Sequence, residues 1–129
     1  MTKKEHWKSE SDPHDFPAAS DYLSLLLTRA ELTAVLRKLK TAPLTHRKAK
    51  DLLRASRLEL LPAEDPEVAR DLKKVRKGEL LSPVLLVRGH APSDFATTVA
   101  DGYHRICASY HLDENAPIPC RLVDLPVAP

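Results

Sequence analysis

The sequence predicts an α+β fold, a small mixed sheet with helices packed against it. Residues 83–88 are almost entirely apolar, as in a strand that is covered on both faces. Asp65 and Pro66 form a strong helix start, because a capping carboxylate precedes a proline at the first helical position. Residues 99–108 indicate a strand that passes through a glycine turn into a helix.

Length and composition predict one globular domain. The chain has 129 residues, of which 43% are hydrophobic and 29% charged, as is typical of a soluble protein. No apolar run approaches the roughly 20 residues of a membrane span, and the first seven residues lack the apolar stretch of a secretory signal. The two cysteines are interpreted as reduced thiols. We therefore expect a cytoplasmic protein with no membrane partner.

The N-terminal segment is predicted to lie outside the folded domain. Residues 1–20 are polar, contain Pro13 and Pro17 and have no periodic pattern, which predicts a flexible tail. A single domain is then expected over 21–129. Residues 21–27 fit either a short strand or the lead into a helix.

A strongly basic segment follows at 29–57. Thr28 and Glu31 fit a capping box at the start of a helix over about 29–40, and a second helix is predicted near 46–55. The segment has nine basic side chains and two acidic ones. The basic ones are Arg29, Arg37, Lys38, Lys40, Arg47, Lys48, Lys50, Arg54 and Arg57. This excess could attract a polyanion, with Arg47, Lys48, Lys50 and Arg54 as candidate nucleic-acid contacts, or it could be the solvated face of two helices.

The remaining elements alternate between strand and helix. Residues 58–61 predict a short strand, and the helix begun by Pro66 is predicted to end at Gly78. A strand over 95–100 leads into a helix over about 103–112. A final strand over 118–123 is expected to lie at a sheet edge or to begin there, because Pro119 cannot donate a ladder hydrogen bond.

The start of the helix near residue 103 predicts an anion site. The first turn of a helix has N–H groups without intrahelical acceptors and carries the positive end of the helix dipole. A phosphate or carboxylate would bind to Gly102, Tyr103, His104 and Arg105, the last two adding side-chain donors. Asp101 is interpreted as the N-cap, or as a holder of a divalent ion or a base. In the alternative, Arg105 is an exposed surface residue and His104 binds a loop carbonyl.

Residues 102–108 resemble the ParB/sulfiredoxin-like superfamily, whose members carry a Gly-x-(Arg/His)-Arg-x-x-Ala pattern at a strand-to-helix junction. Residues 78–87 are similar to the family's glycine, apolar pair, proline and apolar strand. Residues 116–123 are similar to its closing strand. The resemblance covers about 58–124 and implies a divergent member with basic N-terminal helices added.

The resemblance implies that nucleotide phosphates bind at the helix start. The family's ligands and activities imply CTP, ATP or ADP with magnesium, but no single reaction. Sulfiredoxins have a reactive cysteine where this chain has Tyr103, so that activity is not expected. The partition proteins of this family also have a helix-turn-helix domain that binds DNA. That domain is expected to be missing after Pro129, so partition function is not expected.

Three hypotheses for function follow, and a homodimer is compatible with each. The first is a nucleotide- or phosphate-binding module, with a nucleotide or phosphorylated small molecule as partner. The second is a phosphotransferase that uses Asp101, Glu59 or Glu64 as base, together with magnesium. The third is a nucleic-acid-binding or nuclease-like protein. No metal site is predicted, because the spacing of the histidines and cysteines matches no common zinc pattern.

Overall fold

A four-stranded mixed sheet, covered by helices on both faces, forms the centre of the computed structural model, which describes residues 6–125. The fold is therefore α+β, as predicted. The elements in chain order are α1 (Asp15–Leu23), α2 (Arg29–Thr41), β1 (Leu44–Lys48), α3 (Ala49–Ser56), α4 (Pro66–Arg76), β2 (Val84–Val87), β3 (Thr98–Asp101), α5 (Tyr103–Leu112) and β4 (Pro117–Val123). A single turn of 3-10 helix at Ala91–Ser93 lies between β2 and β3.

The strands lie in the order β1-β4-β2-β3. β4 is antiparallel to β1 and parallel to β2, and β2 is antiparallel to β3. The expectation of an edge position for the last strand is wrong for most of β4. Pro119 nevertheless has a strand on one side only, because pairing with β2 begins at Cys120. Its missing N–H therefore removes no hydrogen bond to β2.

Two apolar cores lie on opposite faces of the sheet. Val84 and Leu86 pack with residues of α3, α4 and α5. Leu85 and Val87 pack with residues of α1 and α2. Because side chains of a strand alternate between faces, β2 contributes to both cores, and all four of its residues are buried. The prediction of a strand covered on both faces is confirmed.

The flexible tail predicted over 1–20 is not observed over residues 6–20. Trp7 forms a parallel bridge with Leu81 and is 9% exposed. Ala19 and Leu23 of α1, one helical turn apart, are buried against the second core. Burial of these apolar groups holds the segment on the domain despite its polar composition. Residues 1–5 lie outside the described residues.

The basic segment folds as helix, strand and helix rather than as two helices. The capping box is confirmed, since Glu31 N–H donates to Thr28 Oγ1 at 3.2 Å and Thr28 N–H to Glu31 Oε1 at 2.8 Å. The second helix begins only at Ala49, because the preceding residues pair with β4 as β1.

Two further strand predictions need correction. Residues 58–61 form no strand. The strand expected over 95–100 is limited to β3, with Phe95 in an isolated bridge to His90. None of the helices within residues 6–125 has the length and apolar character needed to cross a membrane.

Candidate functional site

The bend between β3 and α5 has the predicted shape. Gly102 adopts φ +113°, a left-handed conformation that other residues rarely tolerate. A Cβ at this position would lie 2.9 Å from Val84 Cγ2, so the bend also needs the smallest side chain for steric reasons. α5 begins at Tyr103 and ends at Leu112, as predicted.

Asp101 is not the N-cap of α5. The N-cap is Gly102, and no side chain caps the helix. Asp101 Oδ2 instead accepts a hydrogen bond from Arg105 Nη2 at 2.9 Å. Burial raises the pKa of the Asp101 carboxyl against the opposing effect of the Arg105 guanidinium, and neighbouring Asp15 adds to the rise. The carboxylate is thus an internal ion-pair partner.

Arg105 is an internal ion-pair residue rather than the free phosphate ligand predicted from sequence. Its Nη2 also donates to the Pro83 carbonyl at 3.2 Å and lies 3.7 Å from Asp15 Oδ2. The Arg105 side chain is 16% exposed and that of Asp101 18%. A guanidinium this far from water needs counter-charges, and the two carboxylates supply them.

The backbone at the start of α5 retains the predicted free donors. Within residues 6–125, the N–H groups of Tyr103, His104 and Arg105 have no acceptor. The side chains of Tyr103 and His104 make other contacts. Tyr103 O–H donates to the Glu59 carbonyl at 2.6 Å, and the His104 ring lies 5.4 Å from the Tyr103 ring.

A cleft of about 470 Å³ lies beside Arg105 and is called the charged cleft here. It is bounded by the segment before α1, by α4, by the loop that leads into β2 and by Arg105 itself. Its lining residues are Lys8, Asp12, His14, Asp15, Asp71, Lys74, Glu79, Leu80, Leu81, Ser82 and Arg105. The lining therefore contains three cationic side chains, four carboxylates and one imidazole.

Most of these charges are paired within the cleft. Lys8 Nζ lies 2.6 Å from Asp12 Oδ1, and this hydrogen bond lowers the pKa of the Asp12 carboxyl. Ser82 Oγ donates to Asp15 Oδ2 at 2.6 Å. Lys74 differs, because it has no salt bridge within residues 6–125 and is exposed.

Asp71 is a mostly buried residue, 9% exposed, whose carboxylate accepts no hydrogen bond from residues 6–125. Its oxygen atoms still reach solvent, because the only buried side-chain polar atom without a partner within residues 6–125 is Nε of Arg105. Burial raises the pKa of the Asp71 carboxyl, and the positive charges of Lys74 and Arg105 partly oppose that rise. Such a group costs free energy unless a ligand or solvent supplies the donor.

Three potential metal ligands lie together in the lining of this cleft. One side-chain atom each from Asp12, His14 and Asp15 lies within 4.8 Å of the other two. His14 Nε2 is 3.5 Å from Asp15 Oδ1. The sequence prediction of no metal site rests on the spacing of the histidines and cysteines and does not consider these carboxylates.

The other predicted site residues lie outside the charged cleft. Glu59 and Glu64 are exposed, and neither lines it, so neither can act as a base on a ligand bound there without rearrangement. Arg47 and Lys48 are exposed on β1. Lys50 and Arg54 lie on α3, where they line a different groove with Arg57 and Tyr110.

Both cysteines are free, buried thiols, as predicted. Burial raises the pKa of Cys107, and it raises the pKa of Cys120 to about 11. Since the thiolate is the reactive form, neither residue is a candidate nucleophile.

The residues that sequence reasoning missed all belong to the cleft: Lys8, Asp12, His14, Asp15, Asp71 and Lys74. One signal was present. Phe16, Ala19 and Leu23 follow helical spacing directly after the Asp-Pro-His-Asp run, which would have placed that run at a helix start.

Comparison with protein-family models, with curated proteins and with solved structures found no match. The resemblance to the ParB/sulfiredoxin-like superfamily therefore stays a prediction.

Proposed function

We propose that this protein binds a phosphorylated small molecule of the nucleotide class, as its magnesium complex, in the charged cleft. One observation carries the proposal. Cationic side chains from three separate parts of the chain, Lys8, Lys74 and Arg105, converge on a cleft of about 470 Å³, a volume within the range of about 300–1,000 Å³ that small-molecule sites occupy.

Arg105 supports the cleft from within. Its guanidinium is held by Asp101 and Asp15, which offset its charge, so its main contribution is to fix the cleft wall. Lys74, which has no salt bridge within residues 6–125, is the side chain best placed to contact a phosphate directly. The N–H groups of Tyr103, His104 and Arg105, which have no acceptor within residues 6–125, form the positive end of the α5 dipole, and of these three residues only Arg105 lines the cleft.

The carboxylates explain why the ligand would carry a cation. Asp12, Asp15, Asp71 and Glu79 line the same cleft and would repel a bare triphosphate. A magnesium complex has a smaller negative charge, and its water ligands can donate hydrogen bonds to carboxylates. We therefore expect the cleft to bind a magnesium–nucleotide complex more tightly than free phosphate.

The test is isothermal titration of the full chain with CTP, ATP and ADP in the presence of magnesium. Lys74→Gln should weaken the binding of the preferred nucleotide about tenfold, the loss of one charge-assisted contact. Lys73→Gln is the matched control, since Lys73 is a neighbouring exposed residue of α4 outside the cleft. Its affinity should equal that of the wild type. No binding of any of the three nucleotides, or equal loss in both variants, would contradict the proposal.

A second candidate function, binding of single-stranded nucleic acid, is favoured by one separate feature. Lys50, Arg54 and Arg57 line a groove with the ring of Tyr110, and cations combined with an aromatic ring are typical of surfaces on which bases stack. Fluorescence anisotropy with a labelled oligonucleotide tests it. Arg54→Glu should abolish a salt-sensitive signal, whereas Arg70→Glu, a charge reversal on exposed α4, should leave it unchanged.

A further inference from the structure

We infer that the outer edge of β1 binds an acidic peptide in extended conformation, which adds to the sheet as a further strand. β1 lies at one end of the strand order β1-β4-β2-β3, so within residues 6–125 it has a strand neighbour on one side only. The residues of β1 line neither the charged cleft nor the groove beside Tyr110, so this surface goes beyond both functions proposed above.

Two prolines of β4 determine which backbone groups of β1 point outward. Pro117 and Pro119 lie opposite Lys48 and His46, and a proline has no N–H to exchange in a hydrogen-bonded pair. Because hydrogen-bonded and non-hydrogen-bonded pairs alternate along an antiparallel ladder, these two pairs are the non-hydrogen-bonded ones. The backbone groups of Leu44, His46 and Lys48 therefore point away from β4.

Four of these outward groups are free to bond to another strand: the C=O of Leu44, the N–H and C=O of His46, and the N–H of Lys48. Within residues 6–125, no second strand pairs with this edge, and no loop or side chain bonds to these four groups. The Ala49 N–H donates to the Ala116 carbonyl at 3.2 Å, which agrees with the alternation. Such an edge is a template for the addition of a strand.

The side chains of β1 make this edge strongly basic. His46, Arg47 and Lys48 are exposed, and none of them forms a salt bridge within residues 6–125. No acidic residue occurs in the sequence between Glu31 and Asp51. Opposite charges that face each other across two strands stabilise the pairing, and like charges oppose it. The edge therefore favours an acidic strand.

Two other partners fit this edge less well. A second copy of β1 would place cationic side chains beside one another, which opposes pairing. A nucleic-acid phosphate accepts hydrogen bonds from N–H groups, but it cannot donate to the outward C=O groups of Leu44 and His46. An extended acidic peptide pairs with both kinds of backbone group and with the basic side chains.

The alternation also predicts where the carboxylates of the peptide lie. Side chains of a strand alternate between faces, so His46 and Lys48 share one face of the sheet and Arg47 lies on the other. In antiparallel addition, the peptide residues opposite His46 and Lys48 are those whose own N–H groups bond to β1. Alternate acidic residues are therefore enough to place carboxylates beside the imidazole and the ammonium group.

Fluorescence anisotropy of the full chain with a labelled octapeptide of alternating Glu and Val tests the inference. The wild type should bind this peptide, and Lys48→Glu should weaken binding about tenfold, because it replaces an attraction by a repulsion. Lys73→Glu is the matched control, since it reverses a charge at an exposed position of α4. Its affinity should equal that of the wild type.

Two changes to backbone donors distinguish strand addition from charge attraction alone. N-methylation of a central Glu of the peptide should weaken binding about fivefold, whereas N-methylation of a central Val should not, because only the Glu N–H faces β1. In the protein, His46→Pro removes an outward N–H, a change that an edge strand tolerates, and should weaken binding about fivefold. His46→Ala retains that N–H and should bind within about twofold of the wild type.

Circular dichroism of each protein variant establishes that it is folded. The inference is overturned if the wild type does not bind the peptide at millimolar concentration, if the two N-methylated peptides bind alike, or if folded His46→Pro binds as tightly as His46→Ala. It is also overturned if a single-stranded oligonucleotide of the same charge displaces the labelled peptide at a lower concentration than unlabelled peptide does. Because the experiment contains no nucleotide ligand of the charged cleft, its result is independent of whether the proposed function holds.

Discussion

The Arg105 guanidinium donates to the Asp101 carboxylate across one turn at the start of α5, at 2.9 Å. Because Asp15 Oδ2 lies 3.7 Å from the same nitrogen, this pair also connects α5 and β3 to α1. The contact adds a polar link to the apolar burial of Trp7, Ala19 and Leu23 that holds the N-terminal segment on the domain. It also explains why Arg105 stabilises the wall of the cleft and is not free to bind a ligand with its full charge.

Removal of this guanidinium should destabilise the fold. Arg105→Ala leaves Asp15 and Asp101 as buried carboxylates without a counter-charge, and the free energy of unfolding should fall by about 3 kcal/mol. Arg88→Ala is the control, because its pair with Asp124 is exposed, and it should cost at most about 1 kcal/mol. Urea denaturation measures both. Equal losses would show that the Arg105 cluster is not a buried network.

Replacement of Asp71 should stabilise the protein in a pH-dependent way. Since burial raises the pKa of this carboxyl above its ordinary 3.8, the folded state favours its protonated form. The stability that protonated Asp71 contributes is fully present below pH 3.8, and it is lost as the pH rises through the folded-state pKa of this carboxyl. Asp71→Asn should therefore raise the free energy of unfolding by about 1 kcal/mol at pH 7 and change it little at pH 3.5. A constant difference across this range would contradict the assignment.

The two thiols should be protected in the native state. Ellman's reagent at pH 8 should react with neither Cys107 nor Cys120, because both are fully buried and their pKa values are raised. Both should react at once in denaturant. Stoichiometric reaction of native protein within minutes would contradict the packing of α5 against β4.

Gly102→Ala should cost about 2 kcal/mol of stability, because it combines a left-handed φ with a close contact to Val84. The contact can be tested separately. Val84→Ala removes the Cγ2 atom, so the double variant should be more stable than the sum of the two single losses. Strict additivity in thermal or urea unfolding would show that the loss comes from backbone strain or from the contact with Arg105 Nη2 at 3.0 Å, and not from Val84.

Local signals accounted for much of the fold. Asp65 accepts from the N–H groups of Glu67 and Val68 and begins α4 as predicted. Thr28 and Gly102 likewise begin α2 and α5. In each case the deciding interactions lie within a few residues of one another, which is the range over which sequence patterns are informative.

Non-local pairing accounted for what was missed. Thr45, His46 and Arg47 show no apolar alternation, and they form β1 only because β4 lies beside them. The ion pair of Arg105 with Asp15 joins residues from opposite ends of the chain. The charged cleft could be predicted only by someone who knew that Arg105 contacts Asp15. The sequence therefore indicated Arg105 as a site residue but not its partners.

The most direct measurement of the central claim is a nuclear magnetic resonance titration of isotope-labelled protein with magnesium and the nucleotide that binds best. Amide shifts should be largest at Lys74, at Glu79–Ser82 and at Asp12–Asp15, the backbone of the charged cleft. Shifts confined to Arg47–Arg57, or no shifts at millimolar nucleotide, would contradict the claim that this cleft is the binding site.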